Sequence, residues 1–91
     1  MVEMKATIRN AHGIHCRPSA VIIKHALAYD GEITVVGEKG SAKLTSILEL
    51  MSLELFVDSE IKIQVCGENE EKVCREMVEL FETHFDFPPQ G

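Results

Sequence analysis

Six residues near the end of the chain do most to limit what it can fold into. From Glu60 to Val65, the apolar side chains Ile61, Ile63 and Val65 alternate with Lys62 and Gln64. A period of two places the branched side chains on one face of a strand and the polar ones on the other. Such a strand belongs to a sheet that is covered on one side and wet on the other. The cover follows directly: Glu68–Phe85 reads as a long helix with Val73, Met77, Leu80, Phe81 and His84 on one stripe. At 91 residues, 45% of them apolar, the chain has material for one modest core and no more.

The remaining elements fit around that pair. Met4–Ile8 alternates and reads as a strand, and Asn10-Ala11-His12-Gly13 as a loop. Pro18 suits a first helical turn, and Ser19–Ala28 continues it without a breaker, with Ala20, Ile23 and Leu27 expected on the inner face. Glu32–Val36 and Ser41–Leu44, joined by Gly37-Glu38-Lys39-Gly40, read as a hairpin. Thr45-Ser46 opens a short apolar helix over about Ile47–Leu53. The order is β-α-β-β-α-β-α. The economical solution is an α/β (α+β) open-faced sandwich, a four-stranded antiparallel sheet with three helices on one face. Residues 1–87 are expected to form this single domain and 88–91 a short flexible tail.

Charge narrows the function. Residues 1–45 carry six Lys and Arg against four acids, and residues 46–91 three against eleven, for a net charge of −6. That balance argues against nucleic acid or an anionic membrane as the main partner, while leaving room for a local anion site in the first half. Tyr is single and Trp absent, so platforms for stacking bases are few. No apolar run approaches the length of a membrane span, and no secretory leader is expected before the first strand. Three cysteines, Cys16, Cys66 and Cys74, make neither a disulfide nor a zinc framework, so a reducing cytoplasm is the expected compartment.

Chemistry concentrates in Gly13-Ile14-His15-Cys16-Arg17-Pro18. A helix start offers N–H groups with no intrahelical partner, and the helix dipole adds partial positive charge there. Arg17 brings a planar donor fork suited to phosphate oxygens. His15 titrates near neutrality and can act as a nucleophile at one nitrogen while the other is hydrogen-bonded. By spacing alone, a histidine before a helix is more often polar surface. A metal site on His12, His15 and Cys16 lacks a fourth ligand nearby. A hydrolase built on Cys16 needs a base whose side chain meets it.

The segment resembles the active-site signature of the histidine-containing phosphocarrier (HPr) family of the phosphoenolpyruvate-dependent sugar phosphotransferase system, whose usual form is Gly-Leu/Ile-His-Ala/Thr-Arg-Pro. Leu44–Leu53, with Ser46 and Met51-Ser52-Leu53, is similar to the family's second segment, and Glu60–Glu70 to its last strand and turn. The resemblance implies a phosphoryl carrier rather than an enzyme, with no resident cofactor. Phospho-enzyme I would be the donor to His15, at Nδ1 in the family, and the A domains of sugar permeases the acceptors. It implies that Arg17, with Cys16 beside it, holds the phosphate. It also implies that Ser46 is the serine an HPr-type kinase/phosphorylase modifies, with binding to a transcription regulator as one outcome. Lys24, Ile47, Leu48 and Met51 correspond to a partner-docking surface. The alternative within the family is a regulatory paralogue in carbon or nitrogen signalling that works mainly by binding.

Ser46-x-x-Glu49 is also a capping-box spacing, so the hydroxyl has a structural use whatever its regulation. Cys16 stands where the family has Ala or Thr, which raises a redox role for its thiol. Glu49, Glu54 and Asp58 replace residues that are commonly glycine or, at the first of them, basic. A carboxylate at Glu54 is expected to pair with Arg17 in the resting state and so tune phosphorylation.

Overall fold

The computed structural model describes residues 1–9 and 16–82, with the side chains of residues 16–18 left out of the description. Its elements follow the expected order: β1 (Val2–Thr7), α1 (Cys16–Leu27), β2 (Gly31–Gly37), β3 (Gly40–Lys43), α2 (Ile47–Met51), β4 (Glu60–Gly67) and α3 (Glu70–Glu82). The four strands form one sheet in the order β1-β4-β2-β3, every neighbouring pair antiparallel.

The alternation in β4 sets the faces. Ile61, Ile63 and Val65 are buried and pair in register with Ala6, Met4 and Val2 of β1. Across the other edge of β4, Val65 meets Ile33 and Ile63 meets Val35 of β2. The opposite face carries Glu3, Lys5, Lys62 and Gln64, with Gln64 Nε2 donating to Glu3 Oε1 at 2.9 Å. Onto the apolar face α3 lays Cys74, Met77 and Phe81, all buried, with Val73 and Leu80 half-buried beside them. Fully burying a side chain of this size stabilises the fold by roughly 1.5–3 kcal/mol, so this one contact surface accounts for much of the core.

Two helix ends and one helix face differ from the sequence reading for local reasons. Helix α3 begins at Glu70, because Gly67 and Asn69 both take positive φ and turn the chain first; the Asn69 carbonyl then accepts the Val73 N–H at 2.9 Å. Helix α2 stops at Met51, where the N–H groups of Leu53 and Glu54 reach back only three residues, to Leu50 and Met51, and Glu54 turns left-handed at φ 51. In α1 the phase expected from Ala20, Ile23 and Leu27 is corrected. The buried positions are Ser19, Ile22, Ile23 and Ala26, while Ala20 and Leu27 are exposed, Leu27 by 63%. The i, i+3, i+4, i+7 set starting at Ser19 is the better stripe, and the small hydroxyl at its head concealed it. His84, Phe85 and the 88–91 tail lie outside the described residues.

Tyr29, just after α1, closes the far end of the sheet. Its ring lies against the β2 and β4 backbones, where a Cβ on Gly31 would sit 2.5 Å from Tyr29 Cε2 and one on Gly67 2.6 Å from Tyr29 Oη.

Candidate functional site

The opposite end of the sheet gathers the functional elements. There β1 runs out at Thr7, β4 begins at Glu60, and the β2–β3 turn passes Gly37–Gly40. The exit of β1 is pinned from two sides. The Thr7 N–H donates to Glu82 Oε2 at 2.9 Å, and Ile8 exchanges backbone bonds with the α2–β4 loop, its N–H to Ser59 O at 2.9 Å and its carbonyl from Asp58 N at 2.8 Å. The chain that leaves this anchor returns as the first turn of α1.

Helix α1 starts at Cys16, directly after His15. No acid occupies its first turn, whereas Lys24 and His25 stand in its last, so the positive end of the dipole is left unneutralised where an anion would bind. The backbone N–H groups of Cys16 and Arg17, in the first turn, have no partner within the helix; Pro18 has none to give. His12, His15 and the side chains of Cys16 and Arg17 fall outside the described residues. Among the described residues no cluster of His, Cys, Asp and Glu could hold a metal ion, and no helix is long and apolar enough to cross a membrane. Ser19, the first described side chain of α1, is fully buried, and its hydroxyl has no hydrogen-bond partner among the described residues.

Helix α2 packs beside α1. Its N-cap is Ser46, whose Oγ accepts the Glu49 N–H at 3.2 Å. The Glu49 carboxylate accepts from the Thr45 hydroxyl at 3.2 Å. Leu50 and Leu53 are buried, while Leu48 is 80% exposed, Ile47 sits at the margin of exposure and Met51 is half-buried. Lys24 is exposed on α1, and Leu27, one turn further on, adds an apolar neighbour that the sequence reading had assigned to the core. Glu54 pairs with Lys39 Nζ at 3.4 Å, both side chains well exposed. Two further exposed apolar residues, Phe56 and Val57, were not singled out from sequence; Leu53 and Leu55, buried on either side of Glu54, were the signal that Phe56 must point the other way.

The described residues define a small domain: an open-faced sandwich with accessible apolar and charged side chains on α1 and α2. A family model described as the PTS HPr component phosphorylation site matches residues 2–83. The phosphocarrier protein HPr of Haemophilus influenzae is 34% identical over 83 residues, spanning 91% of this chain and 98% of that one. HPr of Vibrio cholerae is 30% identical, spanning 90% and 96%. A crystal structure of HPr from Thermoanaerobacter tengcongensis superposes with a TM-score of 0.82 at 28% identity, covering 89% of this chain and 91% of that one. The chain belongs to the HPr family of phosphocarrier proteins of the phosphotransferase system, which carry a phosphoryl group rather than act as enzymes.

Proposed function

We propose that His15 accepts a phosphoryl group from phospho-enzyme I and passes it to permease A domains in the cytoplasm. The observation that carries this reading is the start of α1 at Cys16, immediately after the histidine, with no acid in its first turn. An imidazole at that point attacks the donor's phosphorus through one ring nitrogen while the bond from phosphorus to the donor's own group breaks and that group leaves, and the new phosphoramidate lies against the N–H groups of the helix start and the Arg17 guanidinium. Transfer onward reverses the same step. Cys16 adds its backbone N–H to the cradle. Lys24, Leu27, Ile47, Leu48 and Met51 form the docking surface. Glu54 tunes the resting site by competing for Arg17, alongside the pair it makes with Lys39. Ser46 is the regulatory serine: a phosphate there sits at a helix start, which favours it, but beside Glu49, which does not.

The test is intact-protein mass after incubation with the organism's enzyme I, magnesium and phosphoenolpyruvate, comparing wild type with His15→Ala. One acid-labile phosphoryl adduct, absent from the variant, is the expected result. No adduct on the wild type would transfer the proposal to a regulatory paralogue, with Ser46 and an HPr-type kinase tested next.

A further inference from the structure

Strands β1 and β3 are the two edges of the sheet. In β1 the free backbone groups can be assigned by alternation. Ile8 exchanges bonds with Asp58 and Ser59 on the β4 side, whereas the Thr7 N–H turns the other way and donates to Glu82. Successive residues of an antiparallel strand direct these groups to opposite sides, so Glu3 and Lys5, like Thr7, present theirs outward. Among the described residues, the only bond to this outer rail is the one between Thr7 and Glu82.

The side chains on the rail are of both signs. Lys5 stands directly opposite Lys62, both exposed, and among the described residues neither has a carboxylate within ion-pair distance. Like charges so placed repel. Glu3 accepts from Gln64 through Oε1, which leaves Oε2 for another donor. On the apolar face Val2 and Met4 are only half-buried, and so is Val78. Val78 belongs to the row Cys74, Val78, Glu82, which α3 lays along β1: Cys74 Sγ lies 4.0 Å from Val2 O and Glu82 reaches Thr7.

A lysine on an edge strand ordinarily guards it against pairing. Here a glutamate two residues earlier makes the edge complementary to itself. Outward groups must meet outward groups, so Glu3 and Lys5 can pair only with odd-numbered residues of another β1. A two-fold axis at Met4 sets Glu3 opposite Lys5 of a second copy, and Lys5 opposite its Glu3. Both pairs exchange two backbone bonds and join opposite charges. An axis at Glu3 or at Lys5 sets like charges face to face. Strand β3, Gly40–Lys43, has a lysine and no acid to answer it.

We propose that the outer edge of β1 is a self-association surface, on which a second copy of this chain adds its own β1 antiparallel, in the register centred on Met4. The two four-stranded sheets become one, and Val2, Met4 and Val78 are covered across the axis. Helix α2 packs on β3 and α1, away from this edge, and stays clear. The paired stretch is short and each copy carries a net charge of −6, so the dimer is weak, with a dissociation constant on the order of 0.1–1 mM.

The experiment is sedimentation equilibrium of the full chain at concentrations spanning that constant, in roughly 0.15 M salt. The wild-type mass should climb from one chain toward two. Glu3→Lys and Lys5→Glu each set like charges opposite and should weaken association about tenfold or more. An equimolar mixture of the two variants should restore it, as should both exchanges made in one chain. Leu48→Ala should associate as the wild type does. A wild-type chain that remains monomeric would overturn the proposal, and so would loss in the single variants without rescue by mixing. Association that Leu48→Ala abolishes and the charge variants leave intact would place the contact on α2 and overturn it too.

Discussion

The Ser46 hydroxyl oxygen accepts the backbone N–H of Glu49 at 3.2 Å, so the residue proposed for regulation is also the cap of a five-residue helix. A helix that short has no propensity to stand alone and depends on its cap and on buried Leu50. Ser46→Ala should therefore cost about 1 kcal/mol, within the usual range for a lost N-cap, and lower the melting temperature of a domain this size by about 4–8 °C. Ser46→Asp keeps an acceptor at the cap and should melt close to wild type. Thermal denaturation of the two variants separates the structural use of the hydroxyl from its modification.

Glu54 sits in the left-handed region at φ 51, where a side chain costs on the order of 1 kcal/mol and glycine costs nothing. Glu54→Gly should gain about that much stability, less the small contribution of an exposed pair with Lys39. It should also speed phosphorylation at saturating donor, if the carboxylate restrains Arg17 at rest. Asp58, at φ 69, supplies the control. Asp58→Gly relieves the same backbone strain and should leave kcat where it was. Equal kcat in wild type and Glu54→Gly would remove the tuning role.

The sheet was legible because β4 writes its two faces plainly: Ile61, Ile63 and Val65 inward, Lys62 outward. Helix α1 was misread by one step of phase. A buried Ser19 counts as polar in any pattern, and an exposed Leu27 counts as core, yet each serves the fold or the surface where it stands. The segment around His15 suggested chemistry because histidine, cation and helix start adjoin in sequence; of these the structure describes the helix start, at Cys16. What was not legible was the recess that Phe56 lines. Glu38, Phe56 and Glu60 come from two loops and a strand start, and only the meeting of β1, β4 and the β2–β3 turn brings them together.

Leu48 and Leu50 are two residues apart on α2 and do opposite work. Leu50 is fully buried; Leu50→Ala should cost about 2–5 kcal/mol, enough to unfold much of a marginal domain. Leu48 is 80% exposed, and Leu48→Ala should shift stability by less than about 0.5 kcal/mol. Its effect should appear in donor KM, raised about fivefold or more with kcat unchanged. Urea melts beside the kinetics decide the matter: a large stability loss in Leu48→Ala would make it a core residue rather than a docking one.

Alkaline pH offers a probe of the end of the sheet closed by Tyr29. Burial and then the charge of Glu70, with Cys66, Glu68 and Asp30 adding, hold the Tyr29 phenol above its ordinary value of 10.0. Its hydroxyl donates to the Glu68 carbonyl at 2.7 Å, a bond that the phenolate cannot make. Burial likewise raises the Cys74 thiol above 9.0, with Sγ 3.3 Å from Ile63 O. Both groups bind their proton more tightly folded than unfolded. Their contribution to stability is therefore complete below the unfolded values and falls as pH rises through the higher folded ones. Melting temperature should hold steady near neutrality and decline from about pH 9 upward. In Tyr29→Phe the neutral plateau should drop, because the bond to Glu68 is gone, and the alkaline decline should flatten, because only Cys74 of the two still titrates. A decline as steep in the variant as in the wild type would show that the phenol's proton is not what the fold loses.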